Sequence, residues 1–263
     1  MPMNPTQAHR FPQVLRRTRS ELGSLLEMVP SSLDLLSPGN LARQSVELFS
    51  NAANARRFVT ALTSTQFHLR EASVPVLVQH REAPELTPID ELSRSQRRWL
   101  GQLALELYFT QLFRSEVAVL DLWPSRFGID ASSDAVWSPR PLYLRWDARF
   151  RQGLQDVYAG LFLDDDLRFQ HGVLALGLGD SAETLLRHFG EGNQRSVRFS
   201  TEALQQTLLG ISQRRRHDDE PLHPNFMAFG LYLMSLTALL EALDMRFDVR
   251  AAFKRSYPGS SQR

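Results

Sequence analysis

The chain contains no cysteine, which removes disulfide frameworks, thiolate metal sites, iron–sulfur clusters and cysteine nucleophiles at once. Lysine is nearly as scarce. Of 30 basic residues one, Lys254, is lysine, which leaves 29 arginines. A guanidinium is always protonated and supplies no free amine, whereas Schiff-base enzymes, Walker-type phosphate loops and ordinary protein kinases each need a lysine ammonium in a defined pocket. A single lysine in the terminal segment therefore argues against all three. Net charge is equally small: 30 basic against 29 acidic residues leave +1, so no overall field steers the chain to nucleic acid or to an anionic membrane, and no nucleic-acid partner is expected.

Long apolar runs are missing too. The longest uncharged stretch, Pro221 to Leu240, has its apolar part from Phe226 to Leu240, short of the roughly 20 apolar residues that cross a bilayer. A buried core helix is the expectation there, with no transmembrane segment. The opening MPMNPTQAHR is polar, carries two prolines and lacks the apolar stretch of a secretory signal, so a cytoplasmic location is expected. No HExxH or GxSxG arrangement occurs, which leaves zinc-protease and serine-hydrolase chemistry without an anchor.

What remains, 43% hydrophobic and 22% charged over 263 residues, is enough to bury one large core. Phe11, Val14, Leu15, Leu22, Leu25, Leu26 and Val29 recur at helical spacing up to Pro30, and a second amphipathic pattern runs over 40–66 behind Asn40. The valine-rich Ser73 to His80 reads as a strand, followed by the turn-rich EAPELTPIDEL. Ser93 to Glu116 reads as a core helix that is apolar nearly all round at its centre. Short apolar runs broken by Pro124, Gly128, Pro139 and Pro141 imply strands and loops over 117–146. Helices are expected again at about 148–163, 165–177, 181–189, 199–214 and 223–243. The fold class is thus mainly α (α+β), with a small strand-containing centre.

Several chemically suggestive clusters have plain structural readings. GLGD at 177–180 and GEGN at 190–193 lack the third glycine of a dinucleotide loop and read as helix C-caps. Asp164, Asp165 and Asp166 stand where carboxylates cap a helix start. His217, Asp218, Asp219, Glu220 and His223 sit beside Arg214 to Arg216 and read as a self-neutralising charged loop rather than a metal site.

SVELFSNAANARRF at 45–58, VPVLVQHREAPELTPIDEL at 74–92, and VLDLWPSRFGI at 119–129 with LYLRWDAR at 142–149 form a series that resembles the UbiB-like (AarF-like) atypical protein kinases. The first resembles their E-x-D helix motif with its glutamate-alanine-alanine-asparagine run. The second resembles their strand and hinge. The third is similar to their aspartate-proline-histidine-proline-glycine-asparagine catalytic loop and metal-binding aspartate-phenylalanine-glycine. The helical sequence at 162–178 and 222–249 fits their C-terminal helices, so the likeness spans roughly 40–250. It implies a kinase-like helical C-terminal lobe over 84–258, a reduced N-terminal lobe over 11–83, and tails at 1–10 and 259–263.

Residue by residue, the resemblance implies a damaged site. Asp121 stands at the catalytic-loop aspartate and Pro124 at the loop's second proline, but Arg126 replaces the magnesium-ligating asparagine. Asp147 stands at the metal-binding aspartate, with Ala148 and Arg149 in place of phenylalanine and glycine. In the helix motif Glu47 stands for the aspartate, while Ser45 and Asn51 replace the two glutamates. Nothing before residue 40 resembles the family's lysine-glycine-glutamine segment, nucleotide loop or strand lysine.

The resulting expectation is an inactive pseudokinase with a vestigial nucleotide pocket at Glu47, Asn51 and Arg126, in which Arg126 pairs with Asp121 or Asp147. It would act as a binding or scaffolding protein with a protein partner and no cofactor. The resemblance implies a setting in isoprenoid-quinone or lipid metabolism, at the periphery of the inner membrane. Two alternatives remain open. One is an ATP- and magnesium-dependent phosphotransferase using Asp121 and Asp147, the latter as metal ligand. The other is a peripheral lipid or quinone binder with a cavity between the 99–113 and 226–240 helices. In the plainer reading both aspartates cap turns.

Overall fold

The computed structural model describes residues 46–48, 50–51, 54–79, 85–179, 181–182, 189, 196–215 and 222–258, with the side chains of 212–215 excepted. The expected helix at 11–29, most of that at 181–189, the GEGN segment, the 217–220 cluster and the C-terminal tail lie outside the described residues.

The helix expected over 40–66 restarts at Asn54, whose side chain accepts from Arg57 N–H and so caps α1, Ala55–Glu71. Phe58, Ala61, Leu62, Thr65 and Leu69 form its buried face. Strand β1 is only Leu77–Val78, shorter than the valine-rich run suggested, because one of its edges faces a side chain: Gln66 of α1 donates to Val76 C=O and accepts from Val78 N–H.

Helix α2, Arg94–Arg114, starts with a capping box in which Ser93 and Gln96 exchange side-chain and backbone hydrogen bonds. It is buried continuously from Leu103 to Leu112. Four short strands follow where the proline- and glycine-broken runs lie: β2 Val117–Val119, β3 Phe127–Ile129, β4 Ala135–Trp137 and β5 Tyr143–Arg145. β1 pairs in parallel with β4, and β3 pairs with β4 as an antiparallel hairpin. β2 and β5 form a separate antiparallel ladder with Val117 opposite Arg145 and Val119 opposite Tyr143.

The remainder is mostly helical: α3 Ala148–Leu163, α4 Asp166–Leu176, β6 Val197–Arg198, α5 Thr201–Arg215, α6 Phe226–Ala242, β7 Arg246–Phe247 and α7 Val249–Ser256. Asp165 caps the start of α4 by accepting from Arg168 N–H, and Gly177 closes α4, as the capping readings require; of the other two aspartates expected at that helix start, Asp164 instead closes α3 in the left-handed conformation and Asp166 is the first residue of α4. α3 and α4 lie backbone to backbone. A Cβ on Gly160 would stand 2.5 Å from Phe169 N, and one on Gly172 2.6 Å from Val157 N, so only glycine admits that approach.

One apolar cluster runs from Leu48 to Phe253, across the expected lobe boundary at 83/84. At its centre α2 and α6 pack on each other, with the Tyr108 and Tyr232 rings 4.8 Å apart, which gives no support to an isoprenoid cavity between them. The Tyr108 and Tyr158 hydroxyls share a 2.7 Å hydrogen bond, and burial pushes both, with Tyr232, well above the ordinary phenol range. No helix among the described residues is long and apolar enough to cross a membrane.

Gln111 joins three elements. Its amide donates to Val119 C=O at 3.2 Å and to Tyr232 Oη at 2.6 Å, and accepts from Val119 N–H at 2.8 Å. The side chain thus acts as a strand partner for β2. Gln111→Leu is expected to orphan both Val119 groups at about 1–3 kcal/mol each, measured as a fall in unfolding free energy by denaturant titration.

Glu106 is 6% exposed beside Arg255, at 2.6 Å. Burial raises its carboxyl above the usual range against the opposing pull of Arg255. Its folded pKa is the higher one, so its contribution to stability is fully present below the unfolded value and is lost as pH rises through the folded value. In thermal melts from pH 4 to 8 the wild type should lose stability relative to Glu106→Gln as pH rises.

Candidate functional site

The aspartate that the resemblance places in a catalytic loop is tightly held. Asp121 follows β2 and is fully buried. One carboxylate oxygen accepts from Arg140 N–H at 2.7 Å and Arg140 Nε at 2.9 Å, and the other accepts from Arg140 Nη2 at 3.0 Å. Its carbonyl accepts from the buried Trp137 indole at 2.6 Å. The arginine expected to fill this place was Arg126, and that expectation is corrected. Arg126 makes no ion pair with either aspartate, and its Nε is buried without a hydrogen-bond partner among the described residues.

The β3–β4 hairpin is the cause. Asp130 accepts from Ser132 and Asp134 N–H to close the turn, and Ser138 N–H donates to Arg126 C=O, extending the ladder. The chain segment returned to the Asp121 loop is therefore Ser138 to Arg140. Asp147 is carried away instead. The β2–β5 ladder runs from Leu120 bonded to Leu142 to Trp146 bonded to Glu116, which separates the two aspartates by roughly 15–20 Å at the usual strand rise. They do not converge on one cleft.

Asp147 has a structural task. It caps α3 by accepting from Phe150 N–H at 2.9 Å, and its own N–H donates to Asn225 Oδ1 at 2.9 Å. His223 Nε2 lies 3.6 Å from it, with the ring stacked on Phe150. Burial lowers the His223 pKa, which Asp147 only partly offsets. Among the described residues no group of three or more His, Asp or Glu could hold a metal ion.

The other two predicted residues do meet. Glu47 and Asn51 line a cleft of about 880 Å³ between α1, the end of α2 and the β2–β5 ladder. Asn51 Nδ2 donates to Tyr143 C=O at 3.1 Å and the Tyr143 hydroxyl donates to Asn54 C=O at 3.4 Å, so this turn is tied to β5. Burial raises the Tyr143 hydroxyl, with Arg57 pulling the other way. Arg57, Arg114 and Arg145 supply cationic walls, and Arg145 pairs with Glu116 at 2.7 Å. The sequence reading missed all three arginines and Arg140. One signal was available for Arg140: the DASSD turn between two short apolar runs marks a hairpin that returns Arg140 to Asp121. The cleft arginines come from three separate elements and carried no local pattern.

Removing Arg140 should leave Asp121 buried and unpaired. Arg140→Met is expected to cost about 3–5 kcal/mol in denaturant unfolding, and Asp121→Leu combined with it should recover much of the loss.

No protein-family model and no curated protein matches the chain. Among solved structures, the complex of Rv3197 with erythromycin from Mycobacterium tuberculosis superposes with a TM-score of 0.51 at 16% identity, over 99% of this chain and 71% of that one. At that identity the likeness is one of fold.

Proposed function

We propose that the chain is a catalytically silent, UbiB-like pseudokinase that serves as a binding protein, with its ligand in the cleft between α1 and the β2–β5 ladder. The observation that carries this reading is the Asp121–Arg140 pair. Phosphoryl transfer needs an aspartate free to orient the acceptor and carboxylates that hold magnesium against the phosphates. Here both oxygens of Asp121 are taken by a guanidinium. The segment facing it, Ser138 to Arg140, contains no carboxylate, and Arg126 adds a cation to the same loop. A divalent ion at this position would meet positive charge instead of ligands.

The phosphotransferase alternative would need Asp121 and the metal-ligating Asp147 at one reaction centre, and the length of the β2–β5 ladder stands between them. Binding, by contrast, asks only for a concave surface with a few oriented polar groups. The cleft offers Asn51, Tyr143 and three guanidiniums beside Glu47 and Glu116. A bulky organic molecule is the second reading, favoured by the cleft volume and by the fact that the Rv3197 structure is a complex with erythromycin.

Calorimetric titration with ATP, with and without magnesium, tests the first reading. The expected result is no magnesium-dependent binding and no nucleotide turnover, unchanged in Asp147→Asn. Turnover that disappears in Asp121→Asn would overturn it. Titration with erythromycin tests the second, and heat of binding that is lost in Arg57→Glu would place the ligand in this cleft.

A further inference from the structure

A second concavity, of about 570 Å³, lies at the other end of α2, where its first two turns meet the β6–β7 ladder. Its lining is dominated by four arginines, Arg94 and Arg98 from α2, Arg198 from β6 and Arg246 from β7, against Asp244 and Asp248. Both carboxylates are already engaged. Asp244 pairs with Arg198, and Asp248 caps α7 by accepting from Ala251 N–H at 2.8 Å. Arg94, Arg98 and Arg246 have no ion-pair or hydrogen-bond partner for their side chains among the described residues.

The placement of these groups brings like charges together. Arg94 and Arg98 are four residues apart on one helix face, a spacing at which like charges repel. Arg198 and Arg246 stand directly opposite each other in the antiparallel ladder, where like charges also repel. Both pairs line one cleft, where the charge of Arg198 is offset by Asp244 and those of Arg94, Arg98 and Arg246 are not, and the nearby cation Arg97 is turned away onto Leu92 and Asp90 C=O. Phe247 holds the ladder against α2 by filling the space above Gly101, where a Cβ would lie 2.1 Å from its ring. The arginines are thus mounted on rigid elements.

We propose that this cleft binds a diphosphate-bearing small molecule. A guanidinium fork takes two phosphate oxygens at once, so three unengaged forks exceed what one carboxylate can satisfy, and three cations in one cleft suit the higher negative charge of a diphosphate. The cavity is also of the size that holds a small ligand. This assignment is independent of the Asp121 loop and of the α1 cleft.

Inorganic pyrophosphate is the probe. In the wild type it should raise the melting temperature in proportion to the logarithm of its concentration, with an affinity that falls as salt rises. Arg94→Gln with Arg98→Gln, and separately Arg246→Gln, should each weaken binding by about tenfold or more per arginine removed. The ligand-free variants should be at least as stable as the wild type, because each loses a like-charge pair; that readout separates a binding loss from misfolding. Arg145→Gln, in the other cleft, should leave pyrophosphate binding unchanged. The proposal is overturned if wild-type protein shows no shift with millimolar pyrophosphate, or if the shift survives in both arginine variants. It is overturned equally if anionic vesicles bind and soluble pyrophosphate does not.

Discussion

A buried carboxylate with no water to solvate it must be held by a cation or lost, and the centre of this molecule is arranged around that requirement. Asp121 is fully enclosed, so Arg140 has to sit on it through side chain and backbone together. That contact requires the β3–β4 hairpin to return at its observed register, with Ser138 bonded to Arg126 and the Trp137 indole reaching Asp121 C=O. β1 then has an edge of β4 to join in parallel, which brings α1 over the β2–β5 ladder and opens the cleft at Glu47 and Asn51.

The same pair shows how a sequence pattern that resembles a phosphotransfer loop can sit in a geometry where its aspartate faces a guanidinium. An aspartate following a short strand and preceding a proline-containing loop is compatible with a phosphotransfer loop, but its chemistry depends on what faces it. With a guanidinium there, both oxygens of Asp121 are occupied and the loop is held together by the ion pair. Glutamine side chains show a related economy. Gln66 and Gln111 each satisfy the N–H and C=O edge of a short strand, so strands of two or three residues persist without a neighbouring strand on that side.

Arginine richness has consequences of its own. In the absence of lysine outside the C-terminal helix, the cations of both clefts, apart from the imidazole of His68, are planar forks, suited to oxyanions and unsuited to acting as a base. In one cleft Glu116 pairs with Arg145 and Glu47 stands beside the remaining forks, and in the other Asp244 pairs with Arg198 and Asp248 caps a helix while three forks have no carboxylate partner among the described residues. Similar composition therefore yields two surfaces with different electrostatic character.

Local chemistry alone carried much of the architecture. The Ser93 capping box, the aspartate caps at 147 and 165, the Gly177 stop and the apolar periodicity of α2 and α6 depend on neighbours within a few residues, so their signals are present in the chain itself. The short elements β6, β7 and α7 escaped because two-residue strands and an eight-residue helix have too few positions to show a period. Whether Asp121 meets Asp147, Arg126 or Arg140 was decided only by tertiary structure, since it turns on hairpin register, and a slip of one residue would put different side chains against the carboxylate. The two clefts were settled in the same way, by packing that brings arginines from separate elements into one place.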